Sequence, residues 1–376
     1  MSVPIDIPMA QPVIGEAEER EVLEVLRSGQ LSLGRKTIAF EEGLAARVGV
    51  RFGRATSSGT AGLHLALRAA GVGEGDEVVT SPMSFIASAN SVLFERAIPR
   101  FVDIDPVTFN LDVDAAADAI TPKTKALLPV HIFGYPADTP ALERHGLPIV
   151  EDACEALGAT HADGSAVGGR GHSAVFAFYA NKQLATGEGG MVVTNDAAVA
   201  ERIGSERNQG RAPDMGWLDH DRLGFNYRMS ELQAALGVAQ LGRLDQMLAD
   251  RAKVAGWYRE ALADLAARTG LTLPCEDRGQ ERRGWFVFVV QVPRGVDRDE
   301  TIRGLRAGGI DGKPYLPPIH LFSFYRELGY REGMFPVCED IGARSLALPF
   351  FPAMTQSQVE RVVQRLSELV LGVAHS

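Results

Sequence analysis

The feature that most constrains the fold is the alternation of short apolar runs with helical patterns between about residues 54 and 195. Several runs are almost wholly apolar, as strands buried on both faces of a parallel sheet are. Helical patterns separate several of the runs, for example at 85–95 and 139–145. This order predicts an α/β domain built on a mostly parallel sheet, with ligands gathering at the carboxyl ends of its strands. The predicted strands are 76–81, 99–104, 125–132, 147–152, 173–179 and 190–195.

The pattern changes after one long predicted helix, or a kinked pair of helices, over 230–265. Apolar residues recur there with a period close to that of an α-helix. A strand at 285–292 and a last helix at about 356–371 follow. We therefore predict a large domain over 1–250 and a small C-terminal α+β domain over 251–376. The helix predicted at 16–28 could pack on either domain.

Composition excludes several functional classes. The formal net charge of −10 argues against a general nucleic-acid binder, which needs a basic surface. The spacing of Cys154, Cys275 and Cys338 fits no zinc pattern, so no metal site is predicted. The N-terminus has no signal-peptide pattern, and no apolar run reaches the ~18 residues that a membrane helix needs. We expect a cytoplasmic protein that binds neither nucleic acid nor membrane.

The stretch SSGTAGLHLALRAAGV, residues 57–72, predicts a helix with Ser57 or Ser58 as its N-cap. Gly59, Thr60 and Ala61 then lie at the helix N-terminus, where free amide groups and the helix dipole favour an anion. Taken alone, the stretch fits an ordinary capped helix as well as a phosphate site.

Charged residues stand at or just after the ends of two further predicted strands. The strand before Ala153 ends in Glu151 and Asp152, and Lys182 follows the strand SAVFAFY and precedes the glycine-rich stretch ATGEGG. A carboxylate at such a position is costly to bury unless a cation or a donor pairs with it. Each charge alone could be a helix cap or a solvated surface group.

Together, a phosphate site, a carboxylate and a lysine on one sheet edge suit pyridoxal phosphate. The lysine amine would form a Schiff base with the cofactor aldehyde. Asp152 would keep the pyridine nitrogen protonated, so that the ring can accept electrons. Phe85 could stack on the ring, or be a core aromatic residue.

The sequence resembles the DegT/DnrJ/EryC1/StrS family of fold-type-I pyridoxal-phosphate sugar aminotransferases over nearly its whole length. The resemblance depends on several motifs in a fixed order, each weak alone: SSGTAGLHLAL, SPMSFIASANSV, FVDIDP, LPVHIFGYPAD, VEDACEALGA, FAFYANKQLATGEGGM, GFNYRMSELQAALG and PYLPPIH. It implies a mostly parallel, seven-stranded type of sheet and a small C-terminal domain.

By this resemblance Lys182 binds the cofactor covalently and Asp152 pairs with its ring nitrogen. Thr60 and Ala61 bind the phosphate through their amides, with Gly59 beside them. Phe85 stacks on the ring. Glu155 stands where members often have Gln or His near the 3′ oxygen of the ring, and Ala177 stands where many have Ser.

The resemblance also implies a homodimer, because Asn226 matches a residue that reaches the phosphate of the partner subunit. His320 and Tyr315 match a segment near the sugar-nucleotide pocket. Arg228 is our candidate for binding the carboxylate of the amino donor.

The implied reaction moves an amino group from L-glutamate to a nucleotide-linked 4-keto-6-deoxy sugar. The stretch over 210–228, together with residues 229–241, is most similar to a C4-aminating, perosamine-type subgroup. A 3-keto sugar nucleotide and a keto-cyclitol stay open as acceptors, and a non-catalytic regulatory protein on the same scaffold is a further alternative. A related dehydratase has histidine where this chain has Lys182, and a nicotinamide-linked reductase would need a G-x-G-x-x-G turn that opens a helix.

Overall fold

The computed structural model describes residues 4–212 and 219–373. Its main sheet has the strand order β3-β2-β4-β5-β6-β7-β1, in which parallel bridges from Leu127 to Ile149 and from Val130 to Asp152 join β4 to β5. Within this sheet, as the described residues form it, β7 runs antiparallel to its neighbours β1 and β6, and the other pairs are parallel. The predicted mostly parallel sheet is therefore confirmed. The strands are β1 (Phe52–Thr56), β2 (Glu77–Thr80), β3 (Ile98–Phe101), β4 (Thr124–Leu128), β5 (Val150–Asp152), β6 (Ser173–Ala177) and β7 (Gly190–Thr194).

Helices cover both faces of this sheet, which is why several of its strands are largely apolar. On β6, Val175 packs in one core with Leu63, whereas its neighbours Ala174 and Phe176 pack in another core with Phe40. Successive strand residues point to opposite faces, so both faces of β6 are buried. The helices of this region are α1 (Glu16–Ser28), α2 (Arg35–Val48), α3 (Gly59–Ala69), α4 (Ala87–Phe94), α5 (Val113–Ala119), α6 (Thr139–Glu143) and α7 (Ala197–Glu206).

The predicted helical stretch over 230–265 is a pair of helices, α8 (Glu231–Leu241) and α9 (Leu244–Thr269), and α1 packs against α8. A three-stranded antiparallel sheet of order β8-β10-β9 follows. The strands of this sheet and the helices around it are β8 (Phe288–Gln291), α10 (Arg298–Ala307), β9 (Lys313–Pro314), α11 (Ser323–Glu327), α12 (Pro336–Arg344), β10 (Ser345–Leu348) and α13 (Gln356–Val373).

The C-terminal core begins at Val254 on α9 and also includes Ile7 from the N-terminal segment. Residue 250 lies inside α9, so a domain boundary there would cut a continuous helix. The division into 1–250 and 251–376 stays a prediction. Within the two described ranges, no helix is both long enough and apolar enough to span a bilayer.

Candidate active site

A cavity of about 480 Å³ opens where β5 and β6 end and α3 begins. It lies at the carboxyl edge of the parallel strands, where the fold class predicts a ligand. The structure brings seven of the predicted site residues to its wall: Gly59, Thr60, Phe85, Asp152, Glu155, Lys182 and Tyr315.

The N-terminus of α3 forms one wall of the cavity. Ser58 is its N-cap and accepts a hydrogen bond from the Ala61 amide at 3.1 Å. A Cβ atom on Gly59 would lie 2.7 Å from the Cβ of Ala177 on β6, so glycine lets the helix begin directly against the strand. The first amides of a helix have no intrahelical acceptor, which leaves Gly59 and Thr60 suited to bind an anion.

Asp152 is the last residue of β5 and is only 5% exposed. Its carboxylate accepts hydrogen bonds from the Ser88 hydroxyl at 2.6 Å and from the Cys154 amide at 3.2 Å. Among the described residues, no lysine, arginine or histidine forms an ion pair with it. A buried carboxylate held only by neutral donors still favours a cationic partner, so the site suits a ligand that brings a positive charge.

Lys182 lies in the loop that follows β6, and its amide donates to the Tyr179 carbonyl at 2.9 Å. Its Nζ atom is 3.6 Å from Oε1 of Glu155 and 3.8 Å from the centroid of the Phe286 ring. The side chain is mostly buried. The amine therefore faces the cavity between a carboxylate and an aromatic face.

Glu155 is buried beside this amine, and its Oε2 atom accepts a hydrogen bond from the Phe133 amide at 2.8 Å. Burial raises the pKa of Glu155, although Lys182 and the Phe133 amide act in the opposite direction. The carboxyl group therefore takes up a proton more readily than that of an exposed glutamate.

Two aromatic side chains border the cavity in different ways. Phe85 stands at its edge with 61% of its surface exposed. An exposed ring at a cavity edge can stack on a planar ligand without leaving a core. Tyr315 packs against Phe133 and Phe286, and burial raises the pKa of its hydroxyl well above the ordinary value.

Four predicted residues do not line the cavity of this chain. Ala61 already donates its amide to the Ser58 cap. His320 is fully buried and bonds Glu339 at 2.9 Å through its ring. The remaining two are Asn226, which is exposed, and Arg228, which donates to Asn208 at 2.9 Å. Their roles stay predictions, as does the subgroup assignment, part of which depends on residues 213–218 outside the described ranges.

The structure separates Glu151 from its neighbour Asp152. Glu151 points away from the cavity and accepts from the amide of Gly171 at 2.9 Å and from the ring of His131 at 3.0 Å. Burial would raise its pKa, but the His131 interactions and the amides outweigh burial and lower it. This residue therefore stabilises the fold.

Sequence reasoning missed two contributors to the site, Ser88 and Phe286. Ser88 has a weak signal, since it stands one helical turn after Ser84 in a segment already identified as part of a motif. Phe286 belongs to an apolar run that reads only as a strand, so no local pattern connects it with Lys182.

Comparison with known proteins agrees with this geometry. The model of the DegT/DnrJ/EryC1/StrS aminotransferase family matches residues 12–367. The chain belongs to this family. GDP-perosamine synthase of Caulobacter vibrioides is 40% identical over 372 residues, which are 97% of this chain and 98% of that protein.

Two solved structures have the same fold as this chain. DesV of S. venezuelae superposes with a TM-score of 0.88 at 37% identity and covers 93% of both chains. The PLP-form of Spr1654 from Streptococcus pneumoniae has a TM-score of 0.91 at 25% identity and covers 99% of this chain and 100% of its own. The chain is therefore a pyridoxal-phosphate-dependent aminotransferase of fold-type I, and the predicted family, fold, enzyme class and cofactor are confirmed.

Proposed function

We propose that this aminotransferase moves the amino group of L-glutamate to C4 of a nucleotide-linked 4-keto-6-deoxy sugar and releases 2-oxoglutarate. The observation that carries the chemistry is that Lys182, Asp152 and the α3 N-terminus border one cavity. The acceptor is argued from similarity, because the relative with 40% identity is named GDP-perosamine synthase.

The residues of the cavity fit pyridoxal phosphate. The α3 N-terminus, with a glycine where a Cβ would meet β6, would hold the phosphate through amides. Asp152, which forms no ion pair within the described part of the chain, would hold a positive charge on the pyridine nitrogen. Phe85 would cover one face of the ring. When bound, the cofactor supplies an electron sink for charge that develops on the carbon next to the transferred nitrogen.

Lys182 would carry the proton in both halves of the reaction. Its amine would take a proton from the α-carbon of glutamate and later deliver one to C4 of the sugar, as a general base and then a general acid. The carboxyl group of Glu155, 3.6 Å from this amine, would hold the amine toward the cavity. Both steps need the amine on the cavity side of the loop.

The remaining site residues would act in substrate binding and in a homodimer. Tyr315, which borders the cavity, and His320 would lie toward the sugar nucleotide. Asn226 is exposed, as a residue that contacts a partner subunit must be in an isolated chain, and it would reach the partner's phosphate site. Arg228 would bind the α-carboxylate of glutamate.

The test is transfer of ¹⁵N from labelled L-glutamate to a set of keto acceptors, with each product analysed by mass spectrometry and NMR. We expect label at C4 of a nucleotide-linked 4-keto-6-deoxyhexose, with GDP and dTDP derivatives compared. Lys182→Ala is the control and should retain the cofactor without transferring label. Label that enters only a 3-keto sugar nucleotide or a keto-cyclitol would replace the proposed acceptor.

The donor is tested separately, because amino transfer proceeds in two halves. Without any sugar, the enzyme should exchange isotope between L-glutamate and 2-oxoglutarate. Exchange with another amino acid and its keto acid, but not with this pair, would reject glutamate while leaving the acceptor proposal in place.

A further inference from the structure

Arg251 is a buried cation whose charge is met by backbone carbonyl groups. It lies on α9 with 3% of its surface exposed. Within residues 4–212 and 219–373, no carboxylate forms an ion pair with it, and burial lowers its pKa to about 10. The guanidinium is therefore still charged near neutral pH. An uncompensated buried charge is costly, so the groups that it bonds indicate what it does.

Its hydrogen bonds join the lysine loop to the segment that precedes β8. Nη2 donates to the Lys182 carbonyl at 3.1 Å, while Nη1 donates to the carbonyls of Phe286 at 3.2 Å and Trp285 at 3.4 Å. The ring of Phe286 is the one that lies 3.8 Å from the lysine amine. One guanidinium therefore fixes the main chain on both sides of the contact between amine and ring.

Gln183 ties the same loop a second time. Its buried amide nitrogen donates to the main-chain carbonyls of Glu155 and Gly284. The loop has no regular structure around Lys182, so these side-chain bonds, together with the bond from the Lys182 amide to the Tyr179 carbonyl, fix where its backbone lies. They attach it to Glu155, the other neighbour of the amine.

We propose that Arg251 is a positioning residue for Lys182. It fixes the lysine carbonyl, so that the amine stays against Phe286 and Glu155 and the main chain does not follow when the side chain moves. The inference deepens the proposed function, because it takes Lys182 as the group that moves the proton. A misplacement of about 1 Å at a reacting group can lower a rate by ~10²-fold.

Arg283 provides a matched control. It is also buried, and burial lowers its pKa. Its guanidinium donates to the Cys275 carbonyl at 3.3 Å and packs over the rings of Tyr135 and Trp285. Loss of Arg283 should lower the stability of the fold, as loss of Arg251 should, but it should not release the loop that holds Lys182.

The first experiment measures the reactivity of the Lys182 amine directly. Full-length protein freed of cofactor is treated with trace acetic anhydride across a pH series, and each lysine is quantified by peptide mass mapping. We expect Arg251→Met to change the pH profile and raise the rate of Lys182 labelling several-fold, while Arg283→Met leaves both unchanged. Should Arg251→Met fail to fold, Arg251→Lys replaces it. Lysine retains the charge but cannot bond both the Lys182 carbonyl and the segment before β8, so we expect a smaller change in the labelling of Lys182.

The second experiment uses the holoenzyme. Arg251→Met should lower kcat by roughly tenfold to a hundredfold with the KM for the amino donor little changed, and should shift the pH midpoint of the visible absorption. Arg283→Met should leave all three as in the wild type. An unchanged labelling profile and kcat in the Arg251 variants, or equal changes in Arg283→Met, would overturn the proposal. Because labelling needs no substrate, it tests Arg251 even if the proposed amino transfer fails.

Discussion

Replacing Gly59 by alanine tests how closely α3 must approach the sheet. The added Cβ would lie 2.7 Å from the Cβ of Ala177 and 3.1 Å from the Sγ atom of Cys154. The Cβ of Ala177 has no rotamer that would move it away, and real Cβ atoms essentially never approach as closely as 2.7 Å. Insertion into a packed site costs typically 1–3 kcal/mol, and the helix propensity of alanine returns at most ~1 kcal/mol. We expect a net loss of about 1–2 kcal/mol in the free energy of unfolding.

The same displacement should weaken cofactor binding, because the helix amides that would hold the phosphate move away from β6. Urea unfolding gives the loss of stability, and titration of the cofactor-free protein with pyridoxal phosphate gives the loss of affinity. Ala177→Gly is the partner variant, since it removes the atom at 2.7 Å. The double variant should bind more tightly than Gly59→Ala alone, with a coupling free energy of at least ~0.5 kcal/mol.

Wild-type affinity and stability in Gly59→Ala would refute this reasoning, since the helix would then have room that the structure does not show. Additive effects in the double variant would also contradict it, because the collision with Ala177 would not be the cause of the loss.

Three further predictions concern parts of the chain away from the cavity. Gly256→Ala on α9 adds a methyl group with no neighbouring atom within 4 Å. It should raise the free energy of unfolding in urea by up to ~1 kcal/mol, and a variant less stable than the wild type would show that the added methyl group does not lie in open space. Glu231 accepts the amides of two residues in the first turn of α2 at 2.8 and 3.0 Å, so Glu231→Gln should cost about 1–2 kcal/mol, whereas Glu42→Gln on the exposed side of α2 should be nearly neutral. Burial lowers the pKa of His172, with Asp196 acting weakly against it; the unfolded state therefore binds more protons below about pH 6.5, and stability falls as the pH drops from there toward the folded pKa. In His172→Gln, the free energy of unfolding measured with urea should fall less between about pH 7.5 and about pH 5.5 than it does in the wild type. An equal fall in both proteins would contradict the lowered pKa of His172.

The sequence predicted the strands that contain largely apolar runs, but it missed β1. Residues 52–56 read FGRAT and have neither alternation nor an apolar run. The strand forms because β7 pairs with it over its whole length. Its glycine is needed because a Cβ on Gly53 would lie 2.6 Å from the Glu41 carbonyl on α2. These are long-range contacts, and no local pattern contains them.

The site was predictable where position along the chain determines position in the fold. Lys182 and Asp152 follow strands whose carboxyl ends share one edge, so their proximity follows from the sheet. The local pattern alone does not choose between Glu151 and Asp152, because adjacent strand residues face opposite sides; the family resemblance chose Asp152. The structure puts Asp152 on the cavity wall and Glu151 beside His131.

Arg251 and Phe286 were beyond sequence reasoning for a different reason. They lie on α9 and just before β8, in the part of the chain that the sequence assigns to a small C-terminal unit. Yet Arg251 donates a hydrogen bond to the Lys182 carbonyl, and the ring of Phe286 contacts the Lys182 amine. The C-terminal segment therefore builds part of the active site. Substitutions that loosen its attachment should act on the placement of the lysine before they act on the cofactor phosphate, which the N-terminus of α3 would hold.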